Sequence, residues 1–93
     1  MENRAKLEAI DKMIRELDDV KNSQISLLKK IAQLEAENIN VGVNVLDKAL
    51  PDVNDHADSS VEAITKLIED LQDYRNDFAK KNNLLVAEET NAS

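Results

Sequence analysis

No cysteine occurs in this chain of 93 residues, and it holds one glycine, one proline and no tryptophan. Without cysteine there are no disulfides and no thiolate metal sites, and a reducing compartment is mildly favoured. One glycine and one proline are too few for a turn-rich β fold, which leaves helix as the default class. Aromatic residues are confined to Tyr74 and Phe78. No apolar run approaches the roughly 18 residues of a membrane span, and no charged-then-apolar leader is visible. The expected setting is therefore the cytoplasm with no membrane association, although a leader-independent export route leaves no such mark.

Basic charge is scarce as well. Lys and Arg number 12 against 19 Asp and Glu, a formal net charge of −7. The imbalance lies in the second half: residues 1–46 carry eight acids and seven bases, residues 47–93 eleven acids and five bases. Such a chain gains nothing from phosphate backbones, so no nucleic-acid partner is expected. A basic protein partner fits the charge, although acidity more often serves only solubility.

What is present is aliphatic and helical in period. From Leu7 to Ile39, one half of the helical wheel holds Leu7, Ile10, Met13, Ile14, Leu17, Val20, Ile25, Leu27, Leu28, Ile31, Leu34 and Ile39. A helix facing one neighbour needs an apolar arc of roughly 100°. This arc spans about 180°, which predicts more than one neighbour. Lys21, Gln24 and Glu35 interrupt it, either as snorkelling margins or as a polar layer that sets register. Asn3 is a fitting N-cap, and the first helix is expected over 4–39. Acid-before-base pairs Glu2/Lys6, Glu8/Lys12 and Asp11/Arg15 sit at i,i+4 on its outer face, each worth about 0.2–0.5 kcal/mol.

The stretch from Ile39 to Val45 alternates apolar with small residues, the period of a strand. Ile39, Val43, Leu46 and Leu50 also fit a helix, and a lone strand has no partner within the chain. Helix is the expectation, as a frayed extension or as a short helix over 43–50 inside a middle segment of 40–58. Pro51 disfavours helical geometry at Leu50, so a polar loop is expected over 52–58. Ser59-Ser60-Val61-Glu62 reads as a capping box that starts a second helix over 60–83. That helix carries Val61, Ile64, Leu67, Ile68, Leu71, Tyr74 and Phe78 on one face. Residues 1–87 form a single domain in this reading, and 88–93 a disordered tail.

Folding the two helices back with a turn near 45–58 brings opposite charges together. Lys29 and Lys30 fall beside Glu69 and Glu62, Glu16 and Asp19 beside Lys80 and Lys81, and Arg4 and Lys6 near Glu88 and Glu89. The expected fold is all-α, an antiparallel two-helix hairpin. A chain this small has a marginal core and often completes it by association, here as a four-helix bundle by dimerisation.

Residues that could carry chemistry do not assemble. Asp52, Asn54, His56 and Asp58 alternate like a calcium loop, but Ala57 and Ala63 stand where glycine and a bidentate glutamate are needed. His56 is the only histidine, and a Ser59 or Ser60 triad with it lacks an elbow and oxyanion donors. No catalytic residue, cofactor, metal or small-molecule substrate is expected. Asn91-Ala92-Ser93 matches the N-glycosylation pattern by accident.

The candidate partner-binding residues form three groups. Val20, Leu27, Ile31 and Leu34 lie along one edge of the first helix's arc, the expected seam of a two-fold homodimer or of a partner helix. Tyr74 and Phe78, one turn apart on the core face, are either core residues of the hairpin or the aromatic anchors of such a seam. Glu69, Asp73 and Asp77 share a face with Glu62 and Asp70, a solvated strip or a dock for a basic partner. The sequence thus reads as a non-enzymatic, acidic helical interaction protein: a self-associating scaffold, an adaptor or an inhibitor.

In length, two-helix plan and polar tail the chain resembles the WXG100-type helical hairpins, which bacterial type VII secretion systems export as dimers without a leader. The resemblance implies a secretion-system partner protein as the alternative function. Its motifs are departed from. There is no Trp-x-Gly at the expected turn, and the only glycine is Gly42, within Asn40-Val41-Gly42. Phe78 occupies the acid position four residues after Tyr74. Phe78 to Asn82 approaches the Phe-x-x-x-Asp pattern of helper proteins, but with the amide.

Overall fold

The computed structural model describes residues 2–84. Two helices, α1 (Asn3–Val41) and α2 (Asn44–Lys81), pack against each other as an antiparallel hairpin, with no strand among the described residues. The expected tail at 88–93, with Glu88 and Glu89, lies outside those residues.

The chain reverses at Gly42 and Val43. Gly42 takes φ = 72°, a left-handed geometry that a residue without Cβ adopts at no steric cost. Its N–H donates to the Asn38 carbonyl at 2.7 Å, the bond that closes a helix through a left-handed residue. Val43 precedes α2, and its carbonyl accepts the N–H of Asp47 at 3.1 Å. A valine side chain cannot cap a helix, and Asn38 of α1 takes over the task. Its Oδ1 accepts the Val43 N–H at 2.8 Å, while its Nδ2 donates to the Val43 carbonyl at 3.1 Å and to Asp47 Oδ1 at 2.7 Å. Asn38 is 4% exposed, so its amide bonds pay for its burial. Asp47 also lies in the first turn of α2, where a carboxylate favours the helix dipole.

These observations correct the middle of the sequence reading. Residues 44–58 belong to α2, so there is no loop at 52–58 and no separate helix over 43–50. Ser59 lies mid-helix and caps nothing. Pro51 is inside the helix and forfeits one backbone bond, a cost of about 3 kcal/mol. Leu50 and Ala57, on either side of it, are both buried, and that packing favours an unbroken helix. With the turn at Gly42, the expected pairings of Lys29 and Lys30 with Glu69 and Glu62, and of Glu16 and Asp19 with Lys80 and Lys81, do not form among the described residues. That of Arg4 and Lys6 with Glu88 and Glu89 lies outside them. Asp11 pairs with Arg75 instead of Arg15, and Asn3 with Asn82.

The facing residues repeat with spacings of three and four. On α1 they are Leu7, Ile10, Ile14, Leu17, Lys21, Gln24, Leu28, Ile31, Glu35 and Asn38; all are buried or half-buried. On α2 the series from Leu50 through Asn54, Ala57, Val61, Ile64, Ile68, Leu71, Arg75, Phe78 and Asn82 is likewise shielded. In heptad notation these are the a and d positions. Lys21, Gln24 and Glu35 therefore sit in the seam, not at its margins.

Contacts divide the hairpin into two units: an open half, residues up to Asp18 with those from Lys66 on, and a turn half, Asp19–Thr65. In the open half Leu7, Ala79 and Leu84 form a buried cluster with Phe78 packed on it. Arg75 closes its flank, with Nε at 2.8 Å from Asp11 Oδ1 and Nη2 at 3.3 Å from Oδ2. Asn3 Nδ2 donates to Asn82 Oδ1 at 2.8 Å. In the turn half the buried residues are Ile31, Leu50 and Ala57 with Asn38, and the α1–α2 hydrogen bonds gather around Asn38.

Candidate interaction surface

A two-helix seam uses two positions in seven. This chain places apolar residues at a third, the g position that precedes each a. On α1 the turn half carries Val20, Leu27, Leu34 and Val41 there, seven residues apart. On α2 it carries Leu46 and Val53, followed by Ser60. All six aliphatic side chains are exposed, with Val20, Leu27 and Leu34 at 44–46%. Because the chain reverses, the g positions of the two helices fall on the same side of the seam. Leu34, Val41, Val43 and Leu46 together line a groove of about 120 Å³ there.

The opposite side of the seam differs in the same half. Ile39, 81% exposed, lies there with Pro51, beside a cavity of about 200 Å³ that Glu35, Asn38, Asp47, Leu50 and Leu46 also line, Leu46 standing close enough to the turn to reach both sides. Three polar residues, Glu35, Asn38 and Asp47, line that cavity, whereas Glu37 and Asn38 are the polar members of the g-side groove.

The g positions of the open half are Lys6, Met13, Leu67, Tyr74 and Lys81, all exposed. Tyr74 is 50% exposed and stacks on Phe78, with ring centroids 6.4 Å apart at 15°. Lys6 Nζ lies 4.9 Å from the Phe78 centroid and 5.9 Å from that of Tyr74, within cation–π range. Phe78 packs on the buried cluster and is half-buried, so of the two aromatics Tyr74 is the more exposed.

Of the edge named from sequence, the structure leaves Val20, Leu27 and Leu34 exposed. Ile31 is a correction: at 3% exposure it is a seam residue of the hairpin itself and is not offered to a partner. The heptad position separates it from its neighbours, a distinction that a broad apolar arc blurs. Sequence reasoning missed Val41, Leu46 and Val53. Their signal was the seven-residue spacing, concealed by a turn placed too late in the chain. Glu69, Asp73 and Asp77 are exposed on the outer side of α2, beside an exposed Lys66–Asp70 pair at 3.4 Å.

The calcium-like alternation of Asp52, Asn54, His56 and Asp58 lies on helix. Its backbone cannot wrap an ion as a loop does. Among the described residues no group of three or more acidic, histidine or cysteine side chains is placed to hold a metal, and no helix is long and apolar enough to cross a membrane. Comparison with family models, with curated proteins and with solved structures gives no match.

Proposed function

We propose that this chain is a non-enzymatic helical interaction protein that acts by packing its g-position stripe against another helical surface. One observation carries the reading: six aliphatic side chains of the turn half stand exposed at one heptad position on one side of the seam. Isolated two-stranded coils place charges at such flanking positions. Three apolar positions in seven are the pattern of a helix that faces a bundle. A small acidic scaffold, adaptor or inhibitor works by such packing and needs no catalytic group or cofactor. A cytoplasmic setting agrees with the missing cysteines.

The test is affinity capture from the source cell with wild type and with Leu27→Glu/Leu34→Glu, alongside the mass of each purified protein. The substituted chain is expected to stay helical and to lose partners, self-association or both. Identical mass and identical captured proteins for the two chains would overturn the reading. Glu69, Asp73 and Asp77 supply a second contact in this reading, a strip for basic side chains. Neutralising all three is then expected to weaken binding and flatten its salt dependence.

A second reading, a hairpin partner protein of a type VII secretion system, is favoured by one specific observation. Gly42, the third residue of Asn40-Val41-Gly42, stands at the turn between two helices of 39 and 38 residues, which is where the Trp-x-Gly of that family is expected. Co-purification with one larger secreted protein, in place of self-association, is the outcome that selects this reading.

A further inference from the structure

We propose that the turn-half stripe is covered by a second copy of this chain, two hairpins pairing about a two-fold axis into a four-helix bundle. This rests on the stripe being a helix-packing surface, and it adds the occupant and the side of the seam. Three observations point to a copy.

The first is shape and chemistry. Both walls of the stripe, Val20–Leu27–Leu34–Val41 and Leu46–Val53, are aliphatic, so a two-fold operation lays like upon like, with Glu37 at the rim of the groove and Asn38 already bonded within the hairpin. Small residues flank it: Ser23 on α1, Ala49 and Ala63 on α2, all exposed. They let facing backbones approach closely.

The second is charge. The chain carries −7, and two copies repel unless they meet where charge is low. Beside the stripe in this half stand Lys30, Glu37 and the lone histidine, His56. Of the acids of α2 in the same half, Asp52, Asp55, Asp58 and Glu62 fall at positions b, e and f, away from the stripe, and Asp47 at seam position a is bonded to Asn38. A basic partner is drawn to those acids. A copy of the same chain is tolerated at the near-neutral side.

The third is area. At their observed exposures the six aliphatic residues offer roughly 500 Å² per copy, so a pair that covers them completely buries about 1,000 Å² from these alone, the scale at which specific interfaces begin.

The experiment is sedimentation velocity of the full chain from about 1 to 200 µM, with thermal melting at both ends of that range. Wild type is expected to be a dimer whose Tm rises with concentration, because folding is linked to association. Leu27→Glu/Leu34→Glu is expected to be a helical monomer, or to weaken the dimer by about tenfold or more. Ile39→Glu, an equally drastic change at an exposed aliphatic across the seam, leaves the dimer intact. If the double variant unfolds, Leu27→Ala serves in its place and is expected to lose much of the concentration dependence. A wild-type monomer with a flat Tm throughout overturns the second copy; if the variant then still loses a captured protein, the packing surface stands with a different occupant. A dimer that survives the stripe substitutions and dissociates with Ile39→Glu overturns the assigned side.

Discussion

The two halves of this hairpin use the same three-four repeat for different ends. The open half is closed upon itself. Leu7, Ala79 and Leu84 are buried together, Asp11 and Arg75 bridge the helices with two bonds, and Lys6 lies over two aromatic rings. The turn half joins its helices covalently and through Asn38, buries fewer side chains, and leaves Val20, Leu27, Leu34, Val41, Leu46 and Val53 in water. Away from the turn, cross-helix bonds hold the pair together. Where the chain itself supplies the link, apolar surface is left over for another helix.

Removing buried side chains tests this contrast most severely. Ile31→Ala in the turn half and Leu7→Ala in the open half are each expected to lose about 2–5 kcal/mol. Leu27→Ala, only one turn from Ile31, is expected to cost far less in dilute solution. Urea denaturation at low protein concentration checks both; an equal loss at Leu27 and Ile31 would mean that the stripe is part of the hairpin's own core.

The polar links come next. Asn38→Ala strips three hydrogen bonds from the turn and leaves the Val43 N–H and Asp47 without that partner, an expected loss of about 1–3 kcal/mol. Arg75→Ala breaks the bidentate pair with Asp11, whose side chains are 18% and 33% exposed. Its effect is expected to be smaller and to shrink with added salt. Amide hydrogen exchange should show protection lost around the turn in the first variant and near the chain ends in the second.

Gly42→Ala meets no neighbouring atom within 4 Å, so its cost comes from the backbone alone. A left-handed alanine is expected to lose about 1–2 kcal/mol, read as a lowered Tm with helix content retained. The smallest effect is the most diagnostic of where α2 begins. Ser59→Ala is expected to leave stability unchanged or to raise it by about 0.5 kcal/mol, since Ser59 is exposed in the helix interior and alanine is the better helix former. Loss of stability in its place would return the cap to Ser59 and the loop to 52–58.

Composition and period determined a good deal by themselves. The near-absence of glycine and proline and the apolar repeats of Leu7–Ile39 and Val61–Phe78 implied two helices, and a chain this acidic and aliphatic implied helix against helix. These are properties of single residues and of local spacing, and local spacing is legible without a fold. The turn was not, because it rests on competition between distant parts. Gly42 and Pro51 both interrupt a helix. Which one yields depends on Asn38 reaching forward to cap α2, and on Leu50 and Ala57 finding cover across the seam. Moving the turn from beyond residue 45 to Gly42 changed every cross-helix pair, replacing the expected charge blocks with Asp11–Arg75 and Asn3–Asn82. It also decided which apolar residues the hairpin covers. Ile31 and Leu34 are equally apolar and one turn apart in sequence, yet only Ile31 faces α2. The packing of one helix on the other assigns each residue of a wide apolar arc to the inside or to a partner, and no single helix carries that information.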